Sequence, residues 1–128
     1  LDLETLDVAA RLAPSSPEDV RLPLRWIGLL REQMSMSLAG STGVYSGDDV
    51  AKLVLAGADA VMTTSALLRF GPLHLATIAA GLRDWMVDHD YASIDEMRGV
   101  ARADATDDPA AYERANYIWN LSTHPSWQ

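Results

Sequence analysis

The chain has no cysteine among its 128 residues, and this absence excludes disulfide bonds, thiolate metal sites and a cysteine nucleophile within it. No apolar run approaches the roughly 20 residues needed to cross a bilayer. The opening segment, LDLETLDVAARL, is acidic and has neither the basic leader nor the apolar centre of a signal peptide. We therefore expect no membrane partner and a cytoplasmic location.

Positive charge is also scarce, since the formal net charge at pH 7 is -8. A nucleic-acid backbone or an anionic membrane is thereby disfavoured as the main partner. The three histidines and the aspartate pairs at 48–49 and 107–108 show no metal-ligand spacing, so we expect no metal site. His74 has no partner spaced to orient it as a general base. We therefore expect His74 to be a polar residue at the start of a helix rather than a general base.

What the sequence does contain is 48% apolar residues, enough for the core of a single domain. Prolines at positions 14, 17 and 23 disfavour helices and strands near the beginning, so we interpret residues 1–22 as a long loop with little regular structure. Pro23 then suits the first turn of a helix, PLRWIGLLREQM. The segment SMSLAGS alternates as a strand does.

Ser46 and Asp49 form a capping-box pattern that predicts the start of a second helix, and Gly57 suits its end. The segment ADAVMTTSA predicts a second strand of the buried, parallel kind. We expect Asp59 near its N-terminal end, facing solvent. A long helix follows with an apolar stripe, and SIDEMRG and PAAYERANYIWNL predict two more helices. The stripe comprises Leu75, Ile78, Ala79, Leu82 and Met86.

The predicted order from Leu24 is helix, strand, helix, strand, helix. A strand, a helix and a second strand joined by tight turns predict a right-handed βαβ unit with parallel strands, and hence the α/β class. Two strands cannot make a sheet that covers these helices. We therefore expect further strands to be supplied from outside this segment.

Two small, hydroxyl-containing turns follow the predicted strands. The carboxyl ends of neighbouring parallel strands open onto one edge, about 4.8 Å apart, so Thr42-Gly43 and Thr64-Ser65 are expected side by side. Gly43 has no Cβ to hinder a close approach to a backbone N–H, and a helix start after Ser65 adds free N–H groups. The pair predicts a phosphate site of the kind found late in eight-stranded α/β barrels. Turns also favour these residues for conformational reasons alone, and that interpretation stays open here.

The segment GSTGVYSGDDVAKLVLAGADAVMTTSALLRFGP, followed by DYASIDEMRG, resembles the C-terminal end of the dihydroorotate dehydrogenase family. The family pattern places a Gly-Gly pair, an Ala-Gly-Ala, a Gly-Thr-Ala-Leu and a Gly-Pro in this order, and the resemblance covers about residues 35 to 99. Thr42 and Thr64 depart from it, because each stands where the family has glycine.

The resemblance implies a fold and a cofactor. The family consists of FMN-dependent (β/α)8 barrels, so the chain would run from helix 6 through strand 7, helix 7 and strand 8 to helix 8. Residues 1–22 would be the loop after strand 6, residues 23–99 the C-terminal part of the FMN-binding barrel, and residues 100–128 a helical extension. The backbone amides of Thr42, Gly43, Thr64 and Ser65 would hold the FMN phosphate.

The resemblance also implies what this segment would not carry. The family's catalytic base and its substrate-clamping residues lie on the first six strands, so this chain would hold the phosphate site without the redox chemistry. We expect a small-molecule substrate of the dihydroorotate type, and either the remaining part of the barrel or self-association in a homo-oligomer. Two alternatives stay open: an aldolase or isomerase barrel whose substrate carries the phosphate, and a non-catalytic interaction module.

Overall fold

The computed structural model describes residues 4–6 and 13–105. Within these ranges helices and strands follow the predicted order, and the combination of helices with a parallel strand pair confirms the α/β class. The predicted last helix, PAAYERANYIWNL, lies outside the described residues. The elements are α1 (Arg21–Leu30), β1 (Ala39–Gly40), α2 (Gly47–Ala56), β2 (Ala60–Val61), α3 (Ser65–Phe70), α4 (His74–Asp88) and α5 (Ile94–Met97), with 3-10 turns at Pro17–Val20 and Ala103–Ala105.

The strands β1 and β2 pair in parallel, with Ala39 opposite Ala60 and Gly40 opposite Val61. Helix α2 connects them, which gives the βαβ unit predicted from the sequence. Because the strands are parallel, the turns that follow Gly40 and Val61 open onto the same edge of the sheet. This arrangement positions the candidate site.

Both strands are shorter than SMSLAGS and ADAVMTTSA suggested. Around the paired residues, Asp59 and Ala60 donate backbone N–H groups to Leu38 O, and Met62 donates to Gly40 O. Ala60 and Met62 are exposed, so the prediction of a buried second strand is wrong at these positions. The reason is that no third strand pairs with β2 within the described part of the chain.

The beginning of the described chain is more regular than predicted. Ser16 donates its backbone N–H to Asp19 Oδ2 at 2.7 Å and its hydroxyl to the same oxygen at 3.2 Å. This pairing starts a 3-10 turn with Pro17 at its first position, and the turn runs directly into α1. The prediction of an irregular loop up to residue 22 is therefore wrong for Pro17–Val20, and α1 begins at Arg21 rather than at Pro23.

Helix α2 lies at the centre of the core. Its predicted ends are confirmed: Asp49 N–H donates to Ser46 Oγ at 3.3 Å, Ser46 N–H donates to Asp49 Oδ2 at 3.0 Å, and Gly57 ends the helix with φ 120°. Gly47 meets α4 so closely that an added Cβ would lie 2.3 Å from the backbone of Gly81. Two clusters of buried side chains pack around α2, one of Val20, Ile27, Val44, Leu53, Ala56 and Ala58 and one of Ala51, Val54 and Met97.

Asp59 connects three segments of the chain, those of Arg31, Leu38 and Arg98. It lies just before β2, as predicted, but its side chain is only about a quarter exposed. Its carboxylate pairs with Arg31 at 2.7 Å and Arg98 at 3.6 Å, and it accepts the Leu38 N–H at 2.9 Å. The Leu38 hydrogen bond, with help from Arg31 and Arg98 and against the effect of burial, lowers the pKa of Asp59 from its usual 3.8. The expectation of a solvent-facing side chain is wrong because these two arginines cover it.

None of the helices described is long and apolar enough to cross a membrane.

Candidate functional site

The two predicted turns lie next to each other at the carboxyl edge of the strand pair. Thr63, directly before the second turn, donates its hydroxyl to Val44 O, directly after the first, at 2.8 Å. This hydrogen bond links the turns across the edge. The order of elements and the parallel pairing therefore place Gly43 and Ser65 where the sequence predicted them.

Ser15 joins the two turns more directly. Gly43 donates its backbone N–H to Ser15 Oγ at 3.1 Å. Ser15 in turn donates its backbone N–H to Ser65 Oγ at 2.8 Å and its hydroxyl to the same atom at 2.9 Å. Ser15 was not among the site residues predicted from the sequence, although the segment APSSPEDV carries two hydroxyls between prolines. One serine thus bridges turns that are formed by separate strands.

The first turn has an unusual backbone. Thr42 and Gly43 both have φ 71°, and a β-branched residue such as threonine adopts this left-handed region rarely and at a cost of about 1–3 kcal/mol. A Cβ on Gly43 would lie 2.2 Å from the backbone nitrogen of Val20. Glycine is therefore required here by the chain's own 3-10 turn, which packs against it.

A cavity of about 440 Å³ lies beside the bridge. Arg69 is the one charged residue that lines it among the described residues, and no carboxylate does. This lining contrasts with the net charge of -8 of the whole chain. The local charge therefore favours an anionic ligand. The lining residues are Pro14, Ser15, Ser16, Pro17, Tyr45, Ser65, Leu68 and Arg69.

Helix α3 contributes backbone donors at the same edge. Its N-cap, Thr64, makes no side-chain capping bond. The first N–H groups of a helix have no partner inside the helix, and those of Ser65 and Ala66 have none elsewhere in the part of the chain that the structure describes. The Thr42 and Thr64 side chains are exposed. The four predicted site residues thus lie together, but only Gly43 and Ser65 are linked through Ser15.

His74 has a structural connection to the site. Its Nε2 lies 2.9 Å from Tyr45 O, and its ring contacts Phe70 at a centroid distance of 4.8 Å. The Tyr45 hydroxyl donates to Ser15 O. His74 therefore anchors the start of α4 to the first turn. Within residues 4–6 and 13–105, no cluster of histidine and acidic side chains could hold a metal ion.

Comparison of the sequence with known proteins identifies relatives of this chain. No family model matches the chain. It is 36% identical over 63 residues to the chloroplastic dihydropyrimidine dehydrogenase (NADP(+)) of Arabidopsis thaliana, a match that covers 49% of this chain and 15% of that protein. The chain is related to the dihydroorotate dehydrogenase family.

Two further relatives carry the family name itself. The fumarate-type dihydroorotate dehydrogenase of Trypanosoma brucei brucei is 38% identical over 60 residues, which are 47% of this chain and 19% of that enzyme. The catalytic subunit of dihydroorotate dehydrogenase B (NAD(+)) of Geotalea daltonii is 28% identical over 88 residues, which are 69% of this chain and 28% of that subunit. The chain thus spans less than a third of the length of the curated relatives it matches.

Proposed function

We propose that this chain carries the FMN phosphate site of an oxidoreductase of the dihydroorotate dehydrogenase type. In this proposal α1, β1, α2, β2 and α4 are helix 6 to helix 8 of a (β/α)8 barrel, and α3 is the short extra helix that often accompanies a barrel's phosphate site. The observation that carries the proposal is the bridge from Gly43 through Ser15 to Ser65. It supports the proposal because one hydroxyl group, that of Ser15, contacts both turns.

The donor set of the site fits a phosphate group. The Gly43 amide and the free N–H groups of Ser65 and Ala66 are hydrogen-bond donors at one edge. The Ser65 hydroxyl oxygen accepts from Ser15, so its own hydrogen can be donated to a ligand. Arg69 adds the positive charge, and a carboxylate that would repel an anion is absent from the lining described. Donors to charged oxygens make hydrogen bonds roughly twice as strong as neutral pairs. Phosphate is therefore a better match than a neutral ligand.

The proposed role of the chain's own residues is to bind and orient. A flavin, when bound, supplies the acceptor for a hydride. Gly43, Ser65 and Arg69 would fix the phosphate end of the cofactor, and the Thr63–Val44 bond would keep the two turns at a constant separation. Fixing one end restricts where the other end can lie, which is how positioning contributes to catalysis. We assign no catalytic base to this chain.

The names of the relatives bear on the substrate. They describe enzymes that act on dihydropyrimidine or on dihydroorotate, with NADP(+), fumarate or NAD(+) in the name. Dihydroorotate is itself a dihydropyrimidine that bears a carboxylate. We therefore propose a reduced pyrimidine ring as the substrate class of the complete enzyme, and we leave the electron acceptor open because the relatives differ in it.

We also propose that further strands complete the sheet. Within the described residues the sheet consists of β1 and β2 alone. A second, mainly apolar cavity of about 250 Å³ lies between β2, α2 and α4. Leu75, which lines this cavity, and Met62, which directly follows β2, are each about half exposed. Open strand edges and exposed apolar side chains favour association. The missing strands would come from the rest of a barrel or from a second copy of the chain.

A visible-absorbance scan of the purified chain, before and after incubation with FMN and gel filtration, tests the proposed function. Flavin absorbance that migrates with the protein is expected. A matched pair of variants localises the binding: Ser65→Ala should weaken FMN retention, and Ser41→Ala, at an exposed position outside the described hydrogen-bond network, should not. A colourless protein that takes up no FMN would refute the proposal.

The FMN scan, together with a separate binding assay for a sugar phosphate, addresses the two alternatives. A chain that ignores FMN but binds a sugar phosphate would support the aldolase or isomerase barrel. A chain that binds neither would favour an interaction module, whose surface could include exposed apolar side chains such as those of Leu73, Met62 and Leu75.

A further inference from the structure

The Gly43 amide, on which the proposed phosphate site depends, is already occupied by the chain itself. Its N–H donates to Ser15 Oγ at 3.1 Å, and Gly43 is buried. The cavity beside α3 is lined by Ser15, whereas Gly43 is not among the described residues that line it. The Ser15 side chain therefore stands between the amide and the space where a ligand would sit.

The bonds that hold the Ser15 side chain in this place are all between neutral groups. Its hydroxyl accepts from Gly43 and donates to Ser65 Oγ at 2.9 Å. An oxygen of a phosphate group would accept the same Gly43 N–H in a charge-assisted bond, which is shorter and roughly twice as strong. A phosphate oxygen can therefore replace the Ser15 hydroxyl at the amide.

We propose that Ser15 competes with the phosphate group of the ligand for the Gly43 amide and thereby limits the affinity of the site. The inference rests on the proposed function, because it places the phosphate at Gly43. On binding, the Gly43 N–H exchanges the Ser15 hydroxyl for a phosphate oxygen. The Ser15 backbone can stay in place through its own N–H bond to Ser65 Oγ and the Tyr45 bond to its carbonyl.

The proposal predicts an effect opposite in sign to that of an ordinary binding residue. If Ser15 were a ligand to the phosphate, its removal would weaken binding. As a competitor, its removal strengthens binding, because the amide no longer has to give up a partner. A neutral hydrogen bond of average strength corresponds to a gain in affinity of about fivefold.

The test is a calorimetric titration of the full chain with inorganic phosphate, and in parallel with FMN. Ser15→Ala is expected to bind phosphate about fivefold more tightly than the wild type. Ser41→Ala, which removes an exposed hydroxyl two residues before Gly43, is the matched control and is expected to leave the affinity unchanged. Equal or weaker phosphate binding by Ser15→Ala, or no binding by either protein, would overturn the competition.

A second measurement covers the case in which Ser15→Ala does not fold. In the wild type, the Gly43 amide resonance must shift as phosphate saturates the protein, because its acceptor changes. Phosphate binding without that shift would overturn the proposal. The two proposals remain distinguishable: tighter phosphate binding by Ser15→Ala with no FMN uptake by either protein would refute the flavin function and retain the competition.

Discussion

Three glycines allow the contact between the first turn and the 3-10 turn to be tested quantitatively. A Cβ on Gly43 would meet Val20 N at 2.2 Å, and the residue has φ 71°. Gly71 has φ 86° but nothing within 4 Å of an added Cβ. Gly47 is helical, and an added Cβ would lie 2.3 Å from the Gly81 backbone. The three positions thus represent strain with crowding, strain alone and crowding alone.

The expected losses of unfolding free energy follow from these geometries. A non-glycine residue in the left-handed or glycine-only backbone regions costs about 1–3 kcal/mol, which is the whole effect expected for Gly71→Ala. Overpacking against a fixed neighbour also costs about 1–3 kcal/mol, which is the effect expected for Gly47→Ala. Gly43→Ala combines both, so we expect about 2–6 kcal/mol, a large part of the about 5–15 kcal/mol that stabilises a typical domain.

Urea unfolding followed by circular dichroism measures all three variants in one assay. The account predicts that Gly43→Ala lowers the unfolding free energy more than Gly71→Ala does, by about 1–3 kcal/mol, the cost expected from overpacking. If the two variants lost equal stability, the packing of Val20 against Gly43 would not constrain the turn. The reasoning about why glycine is required there would then be refuted.

Three further predictions concern single side chains. Ser46→Ala removes the N-cap of α2 and should lower the unfolding free energy by about 1 kcal/mol in the same urea assay; an unchanged midpoint would contradict the capping assignment. Asp59 has a lowered pKa, so the stability it contributes is present above its unfolded pKa, near 3.8, and is lost as the pH falls through its lower folded value. Asp59→Asn should therefore be less stable than the wild type at pH 7, and the difference should shrink in acid; a constant difference would contradict the linkage. Thr63→Val removes the hydroxyl that bonds Val44 O and should loosen the two turns, seen as faster amide exchange at Gly43 than in the wild type; unchanged exchange would show that this bond does not hold the turns together.

Local features of the fold followed from neighbouring residues and could be predicted. The start of α2 is determined by the neighbouring pair Ser46 and Asp49, and its end by Gly57. The parallel pairing of β1 and β2 followed from the short βαβ pattern, and it brought Gly43 and Ser65 to one edge. The assignment of Thr42, Gly43, Thr64 and Ser65 to a phosphate stays a prediction.

Contacts between distant residues could not be predicted from the sequence. Ser15 reaches across 28 residues to Gly43 and across 50 residues to Ser65, and neither distance leaves a periodic pattern. Arg31 likewise lies 28 residues from Asp59, which explains why the aspartate was expected in solvent. The strands were predicted too long because an alternating or an apolar pattern reflects the character of the side chains and not the number of available partner strands.

The comparison of FMN with riboflavin in equilibrium dialysis tests the central claim most directly, since the two differ only in the phosphate. If the turns at Gly43 and Ser65 form a phosphate site, the chain retains FMN and binds riboflavin at least about tenfold more weakly. Equal binding of the two flavins, or binding of neither, would contradict it.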